Sequence, residues 1–142
     1  MSSTTAILAE ENVTLENLAD LFKRAFLKAT IDEDGDLIVE IGKMTAIVRL
    51  IEKKKLIKFF TYFRFKDDAP KEQKYMFVND VNDEVMFTRF SITSKGEDRF
   101  FADYHLPYEN GVLEYQIIAA LRLFEATTIG SIQVIDTFDV VR

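Results

Sequence analysis

Residues 37–65 hold three runs of strand-forming sequence, at about 37–42, 44–52 and 55–65, separated only by Gly42-Lys43 and Lys53-Lys54-Lys55. The last run ends Thr61, Tyr62, Phe63, Arg64 and Phe65, the β-branched and aromatic content that strands favour. Links this short join antiparallel neighbours, because a parallel pair needs a crossover of a dozen residues or more. A chain with this middle section must build a sheet and then find something to cover it.

The cover is written on both sides. Thr14 is placed to cap a helix, and Leu15, Leu18, Phe22, Ala25, Phe26 and Ala29 recur at helical spacing. Acids come early and bases late, which suits the helix dipole. Asp32-Glu33-Asp34-Gly35-Asp36 breaks this helix. Pro70 suits the first turn of a second helix over about 70–83. Tyr75, Val78 and Asn82 share one of its faces, and Phe77 and Val81 another.

Strands follow at about 85–93 and 99–106, with Ser94-Lys95-Gly96-Glu97-Asp98 as their turn. Pro107 closes the second of them. Asn110-Gly111 opens a third helix with Leu113, Ile117, Ala120, Leu121 and Phe124 inward, and Gly130 is expected to stop it. Residues 131–141 fit either a short helix or a last strand. The order is α-β-β-β-α-β-β-α, an α+β fold with an antiparallel sheet and helices packed on it. Residues 1–13 read as a flexible lead-in and 14–142 as a single domain.

Charge and cysteine content narrow the function. The formal net charge of -6 opposes phosphate backbones, so nucleic acid is not the expected partner. The absence of cysteine removes disulfides, thiolate metal sites and a Cys nucleophile. The start has neither a basic region nor a long apolar region, and no apolar run approaches the roughly 20 residues of a spanning helix. A cytoplasmic protein with no membrane partner is expected.

Val78-Asn79-Asp80-Val81-Asn82 closes the middle helix, and Val81-Asn82 leads into Phe87-Thr88-Arg89-Phe90. Asp34-Gly35-Asp36 precedes the 37–42 run, and Asn110-Gly111-Val112 opens the last long helix. With the element order, these features resemble the YbjN family, whose members are assigned to bacterial sensory transduction. The resemblance covers roughly residues 14–127. It implies a fold like that of the type III secretion chaperones, small acidic dimers that hold extended segments of partner proteins. It carries no set of catalytic residues.

Candidate chemistry is sparse. An EF-hand loop starting at Asp32 would need Gly and Glu where Leu37 and Lys43 stand. Starting at Thr30 it would need Glu where Ile41 stands, so the segment reads as an acidic turn. His105 is the sole histidine and shares a strand face with Asp103, a pair able to do acid–base work, although a lone histidine at a strand end is more often a surface residue. Asn79 and Asn82 fit either a polar anchor for a partner or helix-end hydrogen bonding. Lys53-Lys54-Lys55 reads as a solvated hairpin tip.

Strand alternation supplies the main site. Ile57, Phe59, Phe63 and Phe65 fall on one face, assigned to the core, and Lys58, Phe60, Tyr62 and Arg64 on the other. The same alternation adds Arg49, Phe87, Arg89, Arg99, Phe101, Asp103 and His105 to the second face. Arginine and aromatic residues are what protein interfaces select. The expected function is a non-enzymatic, homodimeric protein-binding module. Its partner or dimer face is Arg49, Lys58, Phe60, Tyr62, Phe87, Arg89, Arg99 and Phe101. It would act as a regulator or a holder of a protein segment, without cofactor or metal. The alternatives are a sensor binding a small molecule or anion between sheet and helices, and an enzyme using Asp103 and His105.

Overall fold

A computed structural model describes residues 6–93 and 98–142, so most of the turn expected at 94–98 lies outside the described residues. The described chain is an α+β fold with three helices, as its pattern predicts. Six strands form one antiparallel sheet in the order β2-β3-β4-β5-β7-β6. They are β2 (Lys28–Ile31), β3 (Leu37–Ile41), β4 (Met44–Ile51), β5 (Leu56–Arg64), β6 (Arg89–Ser91) and β7 (Arg99–Pro107). The helices are α1 (Leu15–Arg24), α2 (Lys71–Glu84) and α3 (Glu114–Ile135). A two-stranded ribbon joins β1 (Ile7–Leu8) to β8 (Val112–Leu113). Thus the lead-in expected over 1–13 contains β1 and a short turn of helix, Glu10–Asn12.

All three helices lie on one side of the sheet. The side chains pointing that way include Leu37, Val39, Val48, Ile57, Phe59, Phe100 and Ala102, all buried. They pack in one cluster with Leu18 and Phe22 of α1, Phe77 and Val81 of α2, and Ile117, Leu121 and Phe124 of α3. Phe100 is the hub. Its ring centroid lies 5.6 Å from Phe63, 5.1 Å from Phe65, 5.3 Å from Phe77 and 5.0 Å from Phe90. Those rings come from β5, the residue after it, α2 and β6, so one side chain ties four parts of the chain together.

The first helix is shorter than its apolar stripe. Thr14 caps it, accepting the Asn17 N–H at 3.1 Å, but it ends at Arg24. Phe26 then turns left-handed, at φ 66°. The stripe therefore fails at Phe26, which is 98% exposed. Ala29 is buried on β2, a fourth strand between the first two helices where the expected order has three. The acidic segment becomes the hairpin turn between β2 and β3. The Asp32 carboxylate accepts the N–H groups of Asp34 and Asp36 at 3.0 and 2.9 Å, and Gly35 takes φ 82°.

Three further boundaries move. The strand expected over 85–93 shrinks to Arg89–Ser91, because the Val85 N–H still bonds to Val81 in the last turn of α2 and the chain bends at Met86 and Phe87. Leu113 sits in β8 rather than on the inward face of α3. Gly130 does not stop α3, which runs on to Ile135. Thr127 and Ser131 donate their hydroxyls to carbonyls one turn back, and a single glycine costs a helix only about 1 kcal/mol. The uninterrupted helix is long and apolar enough to cross a membrane by length and composition alone. This corrects the expectation that no run approaches that length, which rested on ending the helix at Gly130, short of its observed end at Ile135. Here one face of the helix packs in the core.

The ambiguous C-terminal residues dock on their own fold. Both oxygens of Asp136 accept backbone N–H groups, from Val140 at 2.8 Å and Val141 at 3.0 Å. Val141 forms a bridge with Phe65, and the Arg142 N–H reaches the Arg64 carbonyl at 2.9 Å.

Left-handed backbone at a residue with a Cβ costs about 1–2 kcal/mol, and glycine avoids that cost. Phe26→Gly should therefore stabilise the fold by about 1 kcal/mol. A lower midpoint in urea unfolding would show that the ring makes a contact worth more than the strain.

Candidate functional site

Among the described residues, no helix packs on the opposite side of the sheet. Its register places one row of side chains across all six strands: Thr30, Ile38, Ile47, Phe60, Asp103 and Arg89. The structure thus brings most of the predicted face together, in three groups.

The first group surrounds Phe60. The Arg49 guanidinium lies 4.9 Å and the Lys58 ammonium 4.8 Å from the ring centroid. Under these two side chains Phe60 is only 7% exposed, so cation–π contact and the aliphatic stems already shield it. Arg49 is itself held by Asp36, with Nε to Oδ1 at 2.8 Å and Nη2 to Oδ2 at 3.2 Å. That hydrogen bond holds the Asp36 carboxyl below its ordinary range.

The second group surrounds Tyr62, which is 45% exposed. Phe101, its cross-strand partner, is 5.8 Å away ring to ring. The Arg99 guanidinium lies 5.3 Å over the Tyr62 ring. Asp98 serves two arginines, Arg64 at 3.8 Å and Arg99 at 3.6 Å.

The third is an ion pair. Asp103 is 6% exposed, a burial that a carboxylate tolerates only when paired. Arg89 supplies the pairing, with Nε to Oδ1 at 3.0 Å and Nη2 to Oδ2 at 2.7 Å. The Arg89 side chain keeps 66% of its surface open. The hydrogen bonds that Arg89 donates to Asp103 raise its already high pKa.

Of the residues predicted for this face, Phe87 does not join it, and the two candidate polar anchors, Asn79 and Asn82, lie on α2. Phe87 stacks on Tyr104 at 3.9 Å, and Tyr104 pairs with Phe59 on the helix side. The bend before Arg89 is the reason, because two-residue alternation holds only within a continuous strand. Asn82 holds β6 to α2, donating to the Phe90 carbonyl at 2.8 Å and accepting the Phe90 N–H at 2.9 Å. Asn79 is exposed on α2.

The sequence reading missed Ile38 and Ile47, although alternation in the 37–42 and 44–52 runs assigns them to this face. It also missed a groove. The β4–β5 ladder stops at Ile47 and Phe60, while β4 starts at Met44 and β5 continues to Arg64. The Thr61 hydroxyl bonds across the gap to the Thr45 carbonyl at 2.8 Å. A groove of about 640 Å³ opens there, lined in part by Ile38, Glu40, Ile47 and Tyr62.

His105 lies on this face opposite Lys58. Burial pushes its imidazole below the ordinary value; Asp103 opposes the shift, while Lys58 and Arg89 add to it. Asp103 gives both oxygens to Arg89 and is not the orienting partner that acid–base work by His105 would use.

Comparison with known proteins places the fold. The family model YbjN, described as "Putative bacterial sensory transduction regulator", matches residues 14–136. No curated protein matches the chain. The crystal structure of YbjN from E. coli, "a putative transcription regulator", has 14% identity and a TM-score of 0.73, covering 91% of this chain and 96% of that one. The HopA1-SchA chaperone–effector complex matches at 10% identity and TM-score 0.59, over 82% of this chain and 91% of that one. The Yersinia pestis type III secretion chaperone SycH, in complex with a fragment of YscM2, matches at 14% identity and TM-score 0.54, over 85% and 99%.

Two tests follow from the site. Asn82→Ala leaves the Phe90 backbone groups without partners and should cost about 1–3 kcal/mol. Asn79→Ala should change stability by less than about 0.5 kcal/mol. Equal costs in urea unfolding would contradict the division of roles. His105 has its folded pKa below its unfolded one, so the unfolded chain takes up the proton first as pH falls. Its contribution is present above about pH 6.5 and is lost below it. His105→Gln should flatten the loss of stability as pH falls below about 6.5; an unchanged slope would assign that loss to other groups.

Proposed function

The chain belongs to the YbjN family, and from that premise we propose that it is a non-enzymatic protein-binding module, a homodimer acting as a regulator or chaperone-like holder of a protein segment. One observation carries the reading. Three helices crowd one side of the sheet and leave the other side with an arginine and aromatic surface already held in place. Tyr62 and Phe101 supply apolar area to bury, and Lys58, Arg64 and Arg99 supply charged donors that fix orientation. Arg49 and Arg89 act through Phe60 and Asp103, which they keep covered and paired. A surface organised before binding loses less side-chain freedom when a partner arrives.

The neighbours support this reading without deciding it. One is a chaperone–effector complex and another holds a fragment of a second protein, but fold alone does not fix function. The net charge of -6 weighs against nucleic acid. A cytoplasmic location belongs to the same proposal, in keeping with a chain that has no cysteine to oxidise.

The test is affinity capture of the tagged protein from lysate of its native host, beside Tyr62→Ala with Arg99→Glu. Arg89→Glu is a poor control, because it would set a second carboxylate against the buried Asp103 and threaten the fold. A stoichiometric partner reduced at least tenfold by the double variant is the expected result. A partner retained in full would place the contact elsewhere. Sedimentation should give a dimer at micromolar concentration, and a monomer there would remove that part of the proposal.

A further inference from the structure

The charges on the uncovered face do not balance locally, and the imbalance has a direction. Lys28 meets Glu40 at 3.3 Å, Arg49 meets Asp36 and Arg89 meets Asp103. Arg64 and Arg99 share the single carboxylate of Asp98. Lys58 rests on the Phe60 ring and has no carboxylate within salt-bridge distance among the described residues. Among the described residues, positive charge is therefore left over at two places, Lys58 and the Arg64/Arg99 pair, on a chain whose net charge is -6.

Both places lie along β5. Its side chains alternate, so Lys58, Phe60, Tyr62 and Arg64 form one line on this face. At roughly 3.3 Å per residue, Lys58 and Arg64 stand about 20 Å apart. Between them lie Tyr62, Phe101 and the groove lined in part by Ile38 and Ile47. An extended peptide has the same two-residue period, so its first, third, fifth and seventh side chains can meet these four positions in step.

We infer that this face takes an extended protein segment of acid–x–apolar–x–apolar–x–acid pattern, running along β5. Its two carboxylates sit at Lys58 and at the Arg64/Arg99 pair, and its apolar side chains sit against Tyr62 and Phe101 and in the adjoining groove. The inference rests on reading the face as a protein-binding surface and adds the chemistry and spacing of what binds. A phosphate backbone would also be drawn to the leftover cations, but it lacks apolar groups at this spacing.

Fluorescence anisotropy tests this with four labelled probes: the peptides ESFSFSE, EEFFSSS and KSFSFSK, and a short oligothymidylate. ESFSFSE should bind tighter than the other three. Its binding should weaken at least fivefold between about 50 mM and 500 mM salt, because screening acts on exposed charge. Lys58→Glu with Arg99→Glu should weaken it at least tenfold, with the fold checked by circular dichroism. If that variant does not fold, Lys58→Gln with Arg99→Gln replaces it, and a threefold loss is expected. Equal binding of KSFSFSK or EEFFSSS, tighter binding of the oligonucleotide, or no binding of ESFSFSE at millimolar concentration overturns the inference. A native partner lost on Tyr62→Ala but untouched by Lys58→Glu would also overturn it, while leaving the protein-binding reading in place.

Discussion

The packing of Phe100 against four other phenylalanines is the contact on which the rest depends. It sets which way β7 faces, and strand alternation then leaves no freedom for its neighbours. With Phe100 and Ala102 turned toward the helices, Arg99, Phe101, Asp103 and His105 must turn away from them. The same cluster draws in Phe77 of α2 and Phe90 of β6, and Asn82 completes the attachment by bonding both backbone groups of Phe90. The uncovered face is thus the reverse side of the aromatic core. A slip of one residue in β7 would exchange core and surface together.

That reverse side has to solve a problem of its own. Phe60 falls at its centre by register, and no helix is available to bury it. Arg49 and Lys58 do so instead, and Asp36 holds Arg49 in position. Asp103 raises the opposite difficulty, a carboxylate with almost no access to water, and Arg89 meets it with two hydrogen bonds. The more exposed Arg49–Asp36 pair contributes little to stability, whereas Asp103 depends on its partner. The effect of both pairs here is to fix where side chains stand, which leaves Tyr62, Phe101, Lys58 and Arg99 as the groups with most to gain from a partner.

The legible part of the chain was the part governed by a single periodicity. β3, β4, β5 and β7 fall close to where alternation puts them, as does α2 where Pro70 and its apolar spacing put it. The illegible parts are places where two signals overlap. Ala25, Phe26 and Ala29 continue a helical spacing by coincidence, but Phe26 turns left-handed and Ala29 is buried from a strand. Phe87 matches Arg89 in parity, and only the bend between them moves it to the helix side. Gly130 is a stop signal that the hydroxyl bonds of Thr127 and Ser131 accompany without a break. In the site, residue types were readable and partners were not, because Asp36 and Asp98 come from turns that alternation does not govern.

A dimer and a binding face compete for the same surface if the dimer forms through the sheet. Two copies meeting across Tyr62 and Phe101 would place the leftover cations at Lys58 and Arg99 against one another, and like charges facing across an interface are costly. The helix side has no such conflict. α3 turns Tyr115, Leu123 and Val134 toward solvent, and its charged residues are few: Glu114, which pairs with Arg24, Arg122 and Glu125. Self-association through helices would leave the sheet free and present two copies of it. Each would then hold one segment of a partner, and two segments joined in one chain would bind more tightly than either alone.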